Sequence, residues 1–97
     1  MIETLSYEYP ASDAVERRAH VGVVASGNCE ILLEPAANRN ASVVVRTSVT
    51  GFSATWQAVL ARFFVRNPVA VQIEINDFGA TPAVVSLRLE QALEAAR

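Results

Sequence analysis

Residues 69–82 read Val-Ala-Val-Gln-Ile-Glu-Ile-Asn-Asp-Phe-Gly-Ala-Thr-Pro, and this stretch decides the fold class. Over residues 69–76 every odd position is a valine or an isoleucine, and the even positions from Gln72 on are polar, which is typical of a β-strand with one covered face. The segment Asp77-Phe-Gly-Ala80 predicts a turn. Thr81 before Pro82 then predicts a helix start, with threonine as N-cap and proline at the first helical position. A strand therefore passes directly into a helix.

A helical period of 3.6 residues appears in two segments. From about Ser53 to the Asn67-Pro68 pair, one wide apolar stripe predicts a helix, and a second stripe follows Pro82. The first stripe contains Trp56, Val59, Leu60, Phe63 and Phe64, and the second contains Val85, Leu89, Ala92, Leu93 and Ala96.

Upstream of the helices the pattern is that of strands. Alternation over residues 3–9 predicts a strand ended by Pro10, and the polar residues 11–18 predict a loop. Two apolar runs, 19–25 and 29–34, flank Ser26-Gly-Asn28, which predicts a hairpin.

After a polar connection over residues 36–41, alternation over 43–49 predicts a further strand. The order is strand, hairpin, strand, helix, strand, helix. We therefore expect one α+β domain over residues 1–97, a two-layer sandwich. Its four- to five-stranded mixed or antiparallel sheet would have both helices on one face.

Composition excludes several function classes. The 97 residues are 52% hydrophobic and 19% charged, with net charge -2, so a globular domain is expected. No basic cluster suggests nucleic-acid binding, and no apolar run suggests membrane insertion. The N-terminus lacks a signal-peptide pattern and the chain has one cysteine, both of which favour the cytoplasm.

Candidate catalytic groups are few. His20 lies in a predicted strand without a nucleophile elbow, and no spacing typical of metal ligands is present. Cys29 is interpreted as a small apolar side chain, its pKa raised by the neighbouring Glu30. Trp56 and the phenylalanines of its stripe are interpreted as core. We therefore expect neither independent catalysis nor a metal site.

Ser26 is the remaining candidate. A serine beside glycine at a tight turn projects its hydroxyl into solvent, where a second enzyme can modify it. The turn alone does not identify a modification, because Ser-Gly pairs are common in hairpins.

Four segments together resemble the acyl carrier (delta) subunit family of malonate decarboxylase. They are Val21-Gly-Val-Val-Ala-Ser-Gly-Asn-Cys-Glu-Ile-Leu-Leu-Glu-Pro35, Glu3-Thr-Leu-Ser-Tyr-Glu-Tyr-Pro10, Asp77-Phe-Gly-Ala-Thr-Pro82 and Leu87-Arg-Leu-Glu-Gln91. The resemblance covers nearly the whole chain in order. Asn28 stands where this family usually has an acidic residue, and Cys29 where it has a larger aliphatic one.

The resemblance implies that Ser26 holds 2'-(5''-phosphoribosyl)-3'-dephospho-CoA covalently through a phosphodiester, with Gly27 and Asn28 supporting the turn. It implies a non-catalytic carrier of acetyl and malonyl thioesters in a complex that converts malonate to acetate and CO2. The implied partners are transferase and decarboxylase subunits, with a holo-carrier synthase and a malonyl transferase as transient partners.

Two alternatives stay open. The acyl carrier subunit of citrate lyase is similar in its Ser-Gly-acidic turn, although it fits less well at the N-terminus and at residues 77–82. A regulatory or scaffold module is suggested by the two-layer fold without catalytic groups.

Overall fold

The computed structural model describes residues 2–97 and contains six strands and two helices in this part of the chain. The strands are β1 (Glu3–Pro10), β2 (Asp13–Ala14), β3 (Ala19–Gly22), β4 (Cys29–Pro35), β5 (Asn40–Thr47) and β6 (Val69–Asp77). The helices are α1 (Ser53–Arg66) and α2 (Pro82–Ala96).

The sheet is mixed, with the order β1-β5-β6-β4-β3. Strand β6, the predicted alternating strand, lies in the centre, parallel to β5 and antiparallel to β4. Helix α1 forms the crossover that the parallel β5–β6 pair needs. The outer pairs β1–β5 and β3–β4 are antiparallel.

Both helices pack on one face of this sheet, as predicted. The buried face of β6 presents Val71, Ile73 and Ile75, each at most 3% exposed. The predicted helix stripes meet this face, and all their members except the partly buried Val59 are buried. Because the other face has no helix over it, it carries polar side chains such as those of the Arg46–Glu74 pair, 2.6 Å apart. The α+β fold class is confirmed.

The helix ends also follow the sequence signals. The Thr81 hydroxyl accepts a hydrogen bond from the Val84 amide at 3.3 Å, so threonine is the N-cap of α2 with Pro82 in its first turn. At the end of α1, the Asn67 backbone amide donates to the Phe63 carbonyl at 2.9 Å before Pro68 stops the helix.

The interval 11–18 is more ordered than predicted. The loop expected there contains β2, which pairs in parallel with Val69 and Ala70 at the start of β6. The amides of Ser12 and Asp13 both donate to the Pro68 carbonyl at 2.9 Å. The hydrophobic pattern gave no sign of this pairing because both residues of β2 are exposed. The five strands of the main order match the predicted number, and β2 is a sixth.

Two other strand boundaries differ from the prediction. Strand β3 ends at Gly22, whereas the apolar run continued to residue 25, and Val23 and Val24 are each 54% exposed. Strand β5 begins earlier and ends earlier than the predicted 43–49. It begins at Asn40, which pairs with Pro10, and ends at Thr47, whose hydroxyl accepts the Val49 amide at 3.1 Å.

Candidate functional site

Ser26 is exposed in the serine loop, residues 23–28, which joins β3 to β4. The Asn28 amide donates to the Ala25 carbonyl at 3.0 Å and closes a four-residue turn around Ser26 and Gly27. Gly27, the third residue of this turn, has φ +75°, and a type II turn requires a positive φ at that position. The predicted turn is therefore present, but in a six-residue loop instead of a tight hairpin.

Backbone hydrogen bonds attach the serine loop to the turn that follows β6. The Gly27 amide donates to the Phe78 carbonyl at 2.7 Å, and the Phe78 amide donates to the Asn28 carbonyl at 3.0 Å. This reciprocal pair extends the register between β4 and β6, whose last partners are Cys29 and Asp77. Main-chain hydrogen bonds within the loop and to Phe78 thus hold Ser26 in position.

Asp77 organises that neighbouring turn. Its carboxylate is almost completely buried and accepts hydrogen bonds from the Thr47 hydroxyl at 2.7 Å, the Ala80 amide at 3.0 Å and the Gly79 amide at 3.3 Å. A buried carboxylate is tolerated only with such partners. Asp77 therefore has a structural role: as a hydrogen-bond acceptor it stabilises the turn to which the serine loop is bonded.

Asn28 joins the loop to α2 through its side chain. Its Oδ1 accepts the Cys29 amide at 2.8 Å and the Arg88 Nε at 3.3 Å. The first bond links the Asn28 side chain to the first residue of β4. The contact with Arg88 was missed, since 60 residues separate the two positions, and only the resemblance of residues 87–91 to the family drew attention to that helix.

Gly22 is the last residue of β3, and its backbone lies unusually close to that of β4. It has φ +77°, and a Cβ at this position would lie 2.0 Å from the Cys29 carbonyl oxygen. The two backbones therefore approach each other more closely than any side chain permits. No hydrophobic or turn pattern marks this glycine in the sequence.

Cys29 is buried, which fits its interpretation as a small apolar side chain, and its thiol is not activated. Burial raises the pKa of Cys29 from 9.0 to about 11, the Asp77 charge adds to this increase, and Arg88 opposes it. The direction of the pKa shift is the expected one, but burial and Asp77 cause it and Glu30 is not among the causes. Glu30 instead lies 3.0 Å from His20 on the open face of the sheet, where both side chains are partly or largely exposed.

Residues 2–97 contain no group of three or more His, Cys, Asp or Glu side chains arranged to hold a metal ion. In the same part of the chain, neither helix has the length and apolar character needed to cross a membrane.

The fold and the loop define a class of protein: a small α+β domain that presents a serine hydroxyl beside a backbone-anchored turn. The model of the malonate decarboxylase delta subunit (MdcD) family matches residues 16–96. The chain therefore belongs to this family, which confirms the resemblance noted in the sequence.

Individual relatives agree with this assignment. The malonate decarboxylase acyl carrier protein of Azotobacter vinelandii is 49% identical over 94 residues, which cover 96% of this chain and 95% of the relative. That of Pseudomonas aeruginosa strain UCBPP-PA14 is 52% identical over 96 residues, covering 98% and 97%.

A solved structure is also similar. One chain of the crystal structure of a Pseudomonas malonate decarboxylase hetero-tetramer in complex with malonate is 49% identical to this chain. The two superpose with a TM-score of 0.93 over 98% of this chain and 99% of the other.

Proposed function

We propose that this chain is the acyl carrier subunit of a malonate decarboxylase and that Ser26 is its attachment residue. The arm is 2'-(5''-phosphoribosyl)-3'-dephospho-CoA, bound covalently through a phosphodiester, and it carries acetyl and malonyl groups as thioesters. The main support is the exposed hydroxyl of Ser26 on an anchored loop, in a chain that belongs to the delta subunit family.

The residues around Ser26 fit such a group. Ser26 is exposed, and an added Cβ at Gly27 would have no neighbouring atom within 4 Å, so the turn around the hydroxyl is uncrowded. Arg88, held against Asn28, brings a guanidinium to the base of the loop, and guanidinium groups suit phosphate oxygens. Ser26 would form the bond, Gly27 and Asn28 would orient it, and Arg88 would offset the phosphodiester charge.

Attachment needs no base from this chain. The Ser26 oxygen forms a bond to the phosphorus of a nucleoside triphosphate derivative, the bond to pyrophosphate breaks, and a holo-carrier synthase accepts the hydroxyl proton. When bound, the arm supplies a thiol for the acyl group, and a thioester carbonyl stabilises the carbanion left by decarboxylation.

During turnover, the role of the chain is to present the acyl group on the arm to the other subunits. A malonyl transferase and the transferase subunit would meet the arm to load and exchange acyl groups, and the decarboxylase subunits would meet it to release CO2. A tether makes these encounters intramolecular, at effective concentrations of roughly millimolar. We place this non-catalytic role in the cytoplasm, in agreement with a single cysteine, which excludes an internal disulfide.

The experiment is the intact mass of protein produced together with its modifying enzymes. We expect one adduct with the mass of the arm, lost in Ser26→Ala and kept in Ser86→Ala, a matched change at an exposed serine of α2. An adduct that persists in Ser26→Ala would refute the attachment residue. Activity of the assembled complex on malonate, and none on citrate, would separate this proposal from a citrate lyase carrier. A scaffold module would have no adduct.

A further inference from the structure

A groove of about 380 Å³ lies beside the serine loop. Its walls are the residues before and within α1, the start of α2, and the turn that Asp77 organises. Its volume is within the usual range of small-molecule sites. None of the carrier roles described above uses this groove.

The groove lies near the proposed attachment residue. Gly79 lines it, and a Cβ on Gly79 would lie 3.9 Å from the Gly27 amide nitrogen. Gly27 is also bonded to Phe78, the residue before Gly79. Since Ser26 precedes Gly27 directly, a group attached to Ser26 begins next to the groove wall.

The lining is apolar and aromatic with hydroxyl groups at its rim. Phe52 is an exposed phenylalanine, 51% accessible, and the Trp56 ring lies deeper in the groove. The rim also includes Thr55 and Thr81, both exposed. Trp56 belongs to the core, as predicted, and it also forms part of a cavity wall, which the helical pattern alone did not indicate.

Aromatic walls with hydrogen-bonding groups at the edge suit a flat heteroaromatic ring. Stacking of a nucleobase on an aromatic side chain is sequence-independent and contributes roughly 1–3 kcal/mol per base. A rigid ring also loses less conformational freedom on binding than a flexible chain does. Among the parts of the proposed arm, the adenine ring has these properties and the pantetheine chain does not.

We propose that this groove binds the adenine ring of the arm attached to Ser26, an assignment that rests on the proposed function. In the arm, one phosphoribosyl unit separates the serine from the adenosine, so adenine is the first aromatic ring along the arm from Ser26. The pantetheine end leaves the adenosine and stays free to visit other subunits. Because the ring is tethered at an effective concentration of roughly millimolar, an intrinsic dissociation constant in the millimolar range is sufficient.

The test compares modified and unmodified protein, with modification established by mass. Trp56 is the only tryptophan, so its fluorescence and its quenching by acrylamide report on the groove. We expect modification to change the emission of Trp56, to lower its access to acrylamide, and to shift the amide resonances of residues 79–81. In modified Phe52→Ala the ratio of bound to free ring should fall about tenfold, whereas Phe52→Tyr should keep it. Val65→Ala, at a residue of α1 that is 83% exposed, should change nothing.

Four results would overturn the assignment. A modified protein whose Trp56 behaves as in the unmodified one, with amide shifts confined to residues 25–28, would refute groove binding and leave the attachment proposal intact. Shifts that appear only when the thiol is acylated would assign the groove to the acyl end. Protection of Trp56 only in the assembled complex would assign the groove to a partner subunit. Absence of any adduct on Ser26 would refute the proposed function, and with it this assignment.

Discussion

Replacing Gly22 with alanine should destabilise the protein by about 3 kcal/mol, far more than the same change at Gly27. Both glycines have φ near +76°, with Gly22 at +77° and Gly27 at +75°, and both substitutions incur the same strain. A left-handed angle costs an alanine roughly 1–2 kcal/mol, and the lower entropy of its unfolded chain returns roughly 0.4–1 kcal/mol. Backbone conformation therefore accounts for about 1 kcal/mol at either position.

The difference in stability between the two substitutions comes from the space available for a Cβ at each position. A Cβ at Gly22 would lie 2.0 Å from the Cys29 carbonyl oxygen, well inside the 3.0 Å that real contacts of this kind respect. The strands must separate by about 1 Å, which disrupts the last β3–β4 pair, Gly22 with Glu30. Loss of hydrogen bonding at a partly buried pair adds about 2 kcal/mol. At Gly27 the added Cβ meets nothing within 4 Å.

Urea unfolding followed by circular dichroism measures the effect. With slopes of roughly 1–3 kcal/mol per molar urea, Gly22→Ala should unfold at about 1 M less urea than Gly27→Ala. Gly51→Ala serves as a matched control, since Gly51 has φ +90° and free space around its Cα. Equal midpoints for Gly22→Ala and Gly51→Ala would refute the argument that close backbone approach, and not φ alone, requires glycine at position 22.

Three further outcomes are expected. Cys29 has a folded pKa of about 11 against an ordinary 9.0, so its contribution to stability is complete below pH 9 and lost as the pH rises to 11, by about 2 kcal/mol. Unfolding free energies across this range should fall less steeply in Cys29→Ala, and equal slopes would contradict the shift. Asp77→Ala leaves the buried Thr47 hydroxyl and two amides without their acceptor and should cost about 3 kcal/mol in urea unfolding, whereas Asp13→Ala, at an exposed site, should cost under about 0.5 kcal/mol. Leu89→Ala should cost about 2–5 kcal/mol because Leu89 is fully buried on the core-facing side of α2, and a melting temperature unchanged from the parent would contradict that packing.

The elements with a strong hydrophobic period could be predicted from the sequence. The pattern of β6 and the stripe of α1 state which side faces the core, because side-chain direction repeats every 2 or 3.6 residues. Such a period carries no information about β2, whose two residues are exposed and pair through their backbone with the start of β6. It also extended β3 beyond Gly22, since Val23 and Val24 look like strand residues although they are half exposed.

The candidate site was predictable only in part. Turn chemistry indicated Gly27, whose φ is positive as the turn requires. The groups that hold the loop come from distant positions: Phe78 bonds to it through main-chain atoms, and Arg88 reaches it from α2. Main-chain bonds do not depend on side-chain identity, so no residue type at position 78 marks that contact. The groove lined by Phe52 and Trp56 exists only once the turns around α1 and α2 are assembled.

The reciprocal bonds between Gly27, Asn28 and Phe78 have a consequence for how this protein can be altered. Because they join amides to carbonyls, the geometry of the loop is separable from the chemistry displayed on it. Under the proposed function, exchanging the side chains at Ala25 and Phe78 would change which enzyme accepts the loop, while the backbone bonds keep the Ser26 hydroxyl in the same place. The loop thus keeps a fixed backbone shape while the side chains that a partner would recognise can be changed. This is a useful starting point for redirecting a carrier to new partners.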